Sequence, residues 1–265
     1  MRDLDDVLAN LSSDGADDAH LYSTLAPVYD FIYERHFDYG TQCELVAEAT
    51  ADQSGDGGES SILEVGSGTG RLLAELESRY ETVVGLERSE AMAQRARTRT
   101  DTADVVVGDA TVAQLDETFD AVVSLGRVTG HFLEAGAAER FAENCLAHLR
   151  PGGVLLFDYF PTERMDDDYE SSHAFESEAY RVERTARTTI PDADPDRMET
   201  EFEYDIADRR TGESATVSEV MTLRTFSHDE VRDLLAGAGF TEVAIRPEGA
   251  DGWPLATARR PERND

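Results

Sequence analysis

The chain contains no lysine: all 24 of its basic residues are arginine. Against them stand 56 acidic residues among 265, which gives a formal net charge of -32 at pH 7. A charge of this size repels other anions, so we expect no nucleic acid and no anionic membrane surface as a partner. The acidic residues are spread along the chain, which is typical of proteins adapted to strong salt. Because acidic residues are so frequent, a single carboxylate at a motif position is weak evidence.

Cysteine is scarce, and long hydrophobic runs are missing. Cys43 and Cys145 form neither a CxxC motif nor a Cys/His cluster, so we predict no metal site and no disulfide framework. The start of the chain, Met1–Asp6, has no apolar core of a signal peptide, and no stretch approaches the length of a membrane span. We therefore expect a cytoplasmic protein with two buried or semi-buried thiols.

Short apolar runs alternate with helical patterns through the middle of the chain. The runs lie at residues 61–65, 82–86, 105–107, 119–124 and 154–157, and two closing strands are expected at 240–245 and 255–259. Strands separated by helices predict a doubly wound, mostly parallel α/β sheet, here with seven strands. A Pro-Gly-Gly turn at 151–153 is expected before the fifth strand, and serines 89 and 227 are expected to cap helices.

The remaining segments have different patterns. Three stretches with alternating polar and apolar residues, 178–189, 197–206 and 215–225, predict a small antiparallel sheet. The predicted organisation comprises an acidic flexible leader or frayed helix, an N-terminal helical cap that runs into a Gly/Ser/Asp linker, a core, an antiparallel β lid, and a final helix with the closing strands. These parts are residues 1–20, 21–55, 56–160, 161–225 and 226–265.

A glycine loop follows the first predicted strand and opens a helix. Its sequence is Glu64-Val65-Gly66-Ser67-Gly68-Thr69-Gly70. Glycine lets the backbone adopt positive φ and pass close to a ligand, although a plain glycine-rich turn would look the same. A dinucleotide fingerprint would have its third glycine one residue later, where Arg71 stands. Glu64, two residues before the first glycine, suits a cationic amino-acid ligand better than a pyrophosphate.

Acidic residues also end the next two predicted strands. Glu87 is placed to accept hydrogen bonds from ribose hydroxyls, as an acid does in NAD enzymes, so it indicates a nucleoside without identifying it. Asp109, after Gly108, is placed either to accept a hydrogen bond from an adenine amino group or to cap a helix.

The glycine loop and the acidic residues at the strand ends together resemble those of class I S-adenosylmethionine-dependent methyltransferases. The resemblance covers residues 60–160 and includes the Leu-Arg-Pro-Gly-Gly sequence at 149–153. It implies that Glu64 and the glycine loop hold the methionine end of the cofactor and that Arg71 pairs with its carboxylate. It also implies that Glu87 binds the ribose. The full set of cofactor-binding residues predicted in this way is Tyr29, Glu64, Gly66, Ser67, Gly68, Gly70, Arg71, Glu87, Arg88, Met92, Asp109, Ala110, Ser124, Leu125 and Gly126.

A narrower resemblance extends to both ends of this core. Residues 22–30, Val128-Thr129-Gly130-His131 and the late antiparallel insertion are similar to N,N-dimethyltransferases of nucleotide-linked aminosugars, with glycine N-methyltransferase as a more distant relative. The resemblance implies that His131 and Tyr22 lie near the acceptor amine. It breaks at Gly126-Arg127, where that group has an aromatic residue and serine.

The predicted function is methyl transfer from S-adenosylmethionine to a small-molecule acceptor, an amine, with His131 as the base. For His131 the alternative is a loop histidine packed under the lid, and for Tyr22 and Tyr29 it is helix packing. Three other functions stay open: O- or C-methylation of a quinone or phenolic precursor, a non-catalytic cofactor-binding protein, and a dehydrogenase-type nucleotide enzyme. Both a monomer and a homodimer are compatible with the sequence.

Overall fold

The structure is a computed structural model that describes residues 3–14, 19–51 and 60–262. Most of the expected linker at residues 51–60 lies outside the described residues. The chain forms two compact units, and each is built from two stretches of sequence. The small-sheet unit comprises Met1–Phe37 and Asp166–Leu223, and the large-sheet unit comprises Asp38–Met165 and Arg224–Asp265.

The described residues form seven α-helices and eleven strands. The helices are α1 (Leu4–Asp14), α2 (Ala26–His36), α3 (Tyr39–Thr50), α4 (Arg71–Leu76), α5 (Glu90–Arg99), α6 (Ala137–His148) and α7 (His228–Ala238). The strands are β1 (Ser61–Val65), β2 (Thr82–Glu87), β3 (Asp104–Val107), β4 (Phe119–Ser124), β5 (Leu149–Asp158), β6 (Tyr169–Glu176), β7 (Tyr180–Thr189), β8 (Arg197–Asp208), β9 (Ser214–Arg224), β10 (Thr241–Arg246) and β11 (Leu255–Arg259).

The large-sheet unit confirms the predicted doubly wound sheet. Its seven strands have the order β10-β11-β5-β4-β1-β2-β3. Strands β1 to β5 pair in parallel, and β11 is antiparallel to both of its neighbours. Every residue of β1 is buried, as expected for a strand covered on both faces. Ile62 packs with the α3 and α4 side chains on one face, whereas Leu63 packs with those of α6 and α7 on the other.

The small-sheet unit contains an antiparallel sheet of order β6-β7-β8-β9, one strand more than predicted. Strand β6 escaped prediction because most of its residues are exposed and polar. Apolar residues of α1, α2 and the inner sheet face share one core. Leu4, Val7 and Leu8 of α1 are buried in that core, so the flexible-leader expectation is wrong for residues 4–14.

Several local expectations are confirmed and others are corrected. Ser89 and Ser227 cap α5 and α7 by accepting hydrogen bonds from Met92 N and Glu230 N. The turn expected at 151–153 is instead part of β5, where a register shift against β4 accommodates the extra residues. Helix α3, expected in the N-terminal cap, belongs to the large-sheet unit. No helix among residues 3–14, 19–51 and 60–262 is long and apolar enough to cross a membrane.

Candidate cofactor and active site

The candidate site lies in the large-sheet unit, where the strand order reverses between β1 and β4. In an open parallel sheet the connections after two such strands leave in opposite directions, which opens a crevice beyond their carboxyl ends. The glycine loop follows β1, and Ser124, Leu125 and Gly126 end β4 and begin its loop. Glu87 and Asp109 follow at the ends of β2 and β3. The predicted site residues therefore lie along one edge of the sheet.

The glycine loop adopts backbone angles that favour glycine. Gly66, Gly68 and Gly70 have φ values of 75°, 55° and 78°. A Cβ atom on Gly66 would lie 2.4 Å from Cγ2 of Val128, in the 3₁₀ turn that carries His131. A Cβ atom on Gly70 would lie 2.7 Å from Cα of Ala96 in α5. The first glycine thus lets the loop contact the His131 turn, and the third lets it contact α5.

Buried polar groups without partners line the two central strand ends. Glu64 is 4% exposed, and its Oε2 has no hydrogen-bond partner among the described residues. The same holds for the hydroxyls of Ser67 and Ser124. Burial, with the nearby Glu87, raises the pKa of Glu64 well above its ordinary value. Buried polar groups are normally satisfied, so this set fits a ligand that brings a cationic donor. Arg71 is half-buried at the start of α4.

Glu87 closes the glycine loop. Its Oε2 accepts a hydrogen bond from Gly68 N, and its Oε1 accepts one from Ser89 N, both at 2.8 Å. Burial nevertheless raises the pKa of Glu87. The positive charge of the exposed Arg88 acts on Glu87, Asp109 and His131. Arg88 therefore links the ends of β2 and β3 to the His131 turn electrostatically.

At the end of β3, Asp109 forms a turn rather than a helix cap. Its Oδ1 accepts hydrogen bonds from the Thr111 backbone N at 2.8 Å and hydroxyl at 2.7 Å, which lower the pKa of Asp109. The Ala110 carbonyl accepts a hydrogen bond from Asn144 Nδ2 at 2.9 Å, which ties this turn to α6. Met92 is buried in α5.

Asp158, at the end of β5, holds the loop after β4. Its carboxylate accepts hydrogen bonds from Gly126 N at 3.1 Å and Arg127 N at 2.6 Å. These contacts fix Arg127 in the left-handed region, with φ 60°, which a residue with a side chain rarely adopts. The Arg127 guanidinium lies 5.1 Å from the Trp253 ring centroid and 5.4 Å from that of Phe160. Sequence reasoning missed Asp158, because its partners are about thirty residues away in the chain.

His131 lies in the 3₁₀ turn Val128–His131. Its side chain is exposed to solvent, yet the surrounding protein withdraws enough water to lower its pKa, and Arg88 lowers it further. A lowered pKa keeps the imidazole neutral near pH 7, the state that accepts a proton.

Tyr22 and Tyr29, the other two predicted site residues, belong to the small-sheet unit. Tyr22 is 37% exposed, and its ring centroid lies 5.8 Å from that of Tyr29. Tyr29 in α2 continues the aromatic row to Tyr33 at 4.3 Å. Helix packing accounts for these contacts, and the roles expected for both tyrosines stay predictions. The structure places the other predicted site residues in the large-sheet unit.

Comparison with known proteins identifies similar sequences and folds. A family described as "Methyltransferase domain" matches residues 62–153. The chain is 31% identical, over 236 residues, to dTDP-3-amino-3,4,6-trideoxy-alpha-D-glucopyranose N,N-dimethyltransferase of Streptomyces venezuelae, a match that covers 86% of this chain and 93% of that protein.

Solved structures show the same similarity. The crystal structure of DesVI from Streptomyces venezuelae superposes with a TM-score of 0.81 at 26% identity and covers 88% of this chain and 97% of that one. A Micromonospora echinaspora amino pentose methyltransferase, solved with S-adenosylmethionine bound, superposes with a TM-score of 0.78 at 29% identity and covers 88% of this chain and 96% of that one.

Proposed function

The chain belongs to the class I S-adenosylmethionine-dependent methyltransferases, and we propose that it methylates the amine of a nucleotide-linked aminosugar. The observation that supports an amino-acid-bearing cofactor is the buried Glu64 carboxylate, whose Oε2 has no partner among the described residues. The acceptor class is supported by the relatives, which are named for amines on dTDP-linked sugars. Methylation of a small molecule is supported by the same relatives whichever sugar is the acceptor.

The residues of the site fit S-adenosylmethionine. We assign Glu64 to the cofactor's ammonium group and Glu87 to its ribose hydroxyls, since the buried Glu64 and the half-buried Glu87 are acceptors at adjacent strand ends. Ser67 and Ser124 bring hydroxyls that have no other partner among the described residues. Asp109, Ala110 and Met92 would then line the adenine. When bound, the cofactor supplies a methyl group that its sulfonium makes electrophilic.

The protein contributes orientation and proton transfer. Asp158 fixes the loop at Gly126 and Arg127, so the wall beside the methionyl end is rigid before any ligand binds. His131 is neutral near pH 7 and can accept a proton at a ring nitrogen, so an acceptor amine keeps a free lone pair.

We also propose that the enzyme works at high salt concentration. The chain has a net charge of -32 and no lysine, and salt screens the repulsion between its carboxylates, so strong salt favours folding and activity. Two buried free thiols are compatible with a reducing cytoplasm.

Two measurements in molar KCl test the proposal. In the first, S-adenosylhomocysteine is expected to raise the melting temperature, whereas NADH is not. In the second, methyl-labelled S-adenosylmethionine is incubated with free aminosugars, nucleotide-linked aminosugars, phenols and quinols, and label is expected in the nucleotide-linked amines. Stabilisation by NADH alone would refute the cofactor assignment, and transfer only to phenols or quinols would refute the acceptor class. Tight cofactor binding with no transfer would indicate a non-catalytic binding protein.

A further inference from the structure

One buried arginine of the small-sheet unit differs from its neighbours. Six other arginines described in this unit, 35, 181, 187, 197, 209 and 210, each lie within 4.0 Å of a carboxylate oxygen. Arg184 has no such partner among the described residues, although the chain is rich in acidic residues. It is also the most buried arginine of the seven, with 9% of its surface exposed.

The surroundings of Arg184 offer aromatic rings and hydroxyl groups. Nη1 donates a hydrogen bond to the hydroxyl of Tyr33 at 3.2 Å. The guanidinium carbon lies 5.8 Å from the ring centroid of Tyr33 and 6.0 Å from those of Phe175 and Phe202. These distances are near the limit of cation–π attraction. A neutral hydroxyl and three distant rings compensate a buried positive charge poorly.

Two buried polar atoms at this place lack hydrogen-bond partners in the part of the chain that the structure describes. They are Nε of Arg184 and the hydroxyl of Tyr204. Arg184 on β7 pairs directly with Tyr204 on β8, and both residues are on the buried face of the sheet. Because Nη1 is occupied by Tyr33, the edge of the guanidinium that includes Nε remains for an acceptor with two oxygens. That edge is the one a guanidinium offers to a carboxylate or phosphate.

The other titratable groups near this cluster do not neutralise Arg184. His173 on β6 pairs directly with Arg184, and the His36 ring centroid lies 5.8 Å from that of Tyr33; a histidine can only add positive charge. Glu219 acts electrostatically on Tyr204, but its Oε2 accepts a hydrogen bond from Leu21 N at 3.0 Å and its Oε1 lies 3.4 Å from His20 Nδ1. The cluster therefore combines a fixed cation with hydroxyl donors, which is the chemistry that binds an anion.

We propose that Arg184, Tyr33 and Tyr204 form a binding site for a phosphoryl anion, with the diphosphate of the acceptor as its occupant. The occupant rests on the proposed function, since a nucleotide-linked aminosugar carries a diphosphate. The site itself rests on the buried guanidinium that has no carboxylate partner among the described residues. Arg184 binds the diphosphate and takes no part in proton transfer.

Calorimetric titration of the full chain with thymidine diphosphate and, separately, with inorganic pyrophosphate tests the site. The wild-type protein is expected to bind both, and R184Q to bind both about 10- to 100-fold more weakly, the usual effect of losing a charge-assisted hydrogen bond. R184K keeps the charge without the planar fork and is expected to fall between them. Y33F, which loses one neutral hydroxyl, is expected to weaken binding about 2- to 10-fold.

The matched control is R187Q. Arg187 is on the same strand, but it is exposed and pairs with Glu170. R187Q is expected to bind thymidine diphosphate like the wild type, and all variants are expected to bind S-adenosylhomocysteine equally. Equal diphosphate affinity in R184Q and R187Q would overturn the proposal, as would a wild-type protein that binds neither thymidine diphosphate nor pyrophosphate.

A purely structural role for Arg184 predicts a different result. R184M would then lower the melting temperature of the ligand-free protein, and R184K would bind the diphosphate like the wild type; that pair of results would overturn the proposal. We expect R184M to melt at or above the wild-type temperature, because an unpaired buried charge is removed. Failure of this site and failure of the proposed function are distinguishable. S-Adenosylhomocysteine binding and transfer to an unphosphorylated amine test the function without Arg184.

Discussion

Each unit buries an ionisable side chain with a polar atom that has no hydrogen-bond partner among the described residues, and the two side chains carry charges of opposite sign. In the large-sheet unit it is Glu64, with Oε2 unsatisfied among the described residues. In the small-sheet unit it is Arg184, with Nε unsatisfied in the same described ranges. Burying such a charge is unfavourable unless a partner arrives. The comparison indicates that Glu64 is suited to a cation and Arg184 to an anion, and under the proposed function opposite electrostatics would recognise the cofactor and the acceptor.

The largest expected effect concerns His131, and it distinguishes the chemical step from binding of the acceptor. H131A removes the proposed base, and kcat is expected to fall about 100- to 10,000-fold while the affinity for S-adenosylhomocysteine stays unchanged. R184Q is expected to act mainly on the KM for the acceptor. Steady-state kinetics with both substrates varied will check this split. A kcat of H131A within a few-fold of the wild type would show that the turn at Val128–His131 has no part in proton transfer.

The next effect concerns Glu64. E64Q keeps the shape of the side chain but loses its charge, and the affinity for S-adenosylhomocysteine is expected to fall about 10- to 100-fold by calorimetry. E75Q is the matched control, because Glu75 is an exposed residue of α4. The affinity of E64Q for thymidine diphosphate should not change. Loss of diphosphate binding in E64Q would contradict the assignment of the cation site to Glu64 and of the anion site to Arg184.

A pH dependence follows from the raised pKa of Glu64. Below that pKa the carboxyl group of the free protein is protonated, and the cofactor's ammonium group must displace the proton to bind. Cofactor affinity should therefore rise with pH up to the raised pKa of the free protein and then level off. Stability has the opposite pH dependence. The contribution of Glu64 to the free energy of unfolding is present below pH 4.5 and is lost as the pH rises through the pKa of Glu64 in the folded state. E64Q should abolish both trends, as measured by calorimetry and urea unfolding.

The smallest expected effect concerns a paired arginine in the turn between β8 and β9 of the unit that contains Arg184. Arg210 contacts Asp208 at 2.8 Å, Asp5 at 2.6 Å and the Tyr180 hydroxyl at 2.7 Å. Its side chain is nevertheless 50% exposed, so solvent screens these contacts. R210Q is expected to lower the free energy of unfolding only slightly, and less in molar KCl, with unchanged diphosphate binding. A loss of diphosphate affinity in R210Q would show that other arginines of the small-sheet unit contribute, and not Arg184 alone.

Prediction from sequence worked where the structure depends on short stretches of chain. The glycine loop, the caps at Ser89 and Ser227, and the alternating strands of the large sheet each have a local backbone or packing cause. Asp158 was missed because it acts on Gly126 and Arg127 through tertiary contact, and one more acid stands out little in so acidic a chain. Strand β6 was missed because it is mostly exposed and has no apolar alternation.

The arginines show the limit of sequence reasoning most clearly. Arg184 and Arg187 stand three residues apart on one strand with similar neighbours in sequence. The pleat of the sheet buries the first and exposes the second, and only the folded structure shows which one lacks a carboxylate. The burial that makes Arg184 a candidate binding residue is therefore a tertiary property.

One reaction tests the account most directly. The wild-type enzyme is incubated in molar KCl with S-adenosylmethionine carrying a carbon-13 methyl group and with a nucleotide-linked aminosugar, and the labelled atom is located by NMR. We predict that the labelled methyl group is bonded to the acceptor nitrogen and not to an oxygen or carbon atom of the acceptor. A labelled methyl group on an oxygen or carbon atom of the acceptor, or no transfer from a cofactor that binds tightly, would contradict the proposed function.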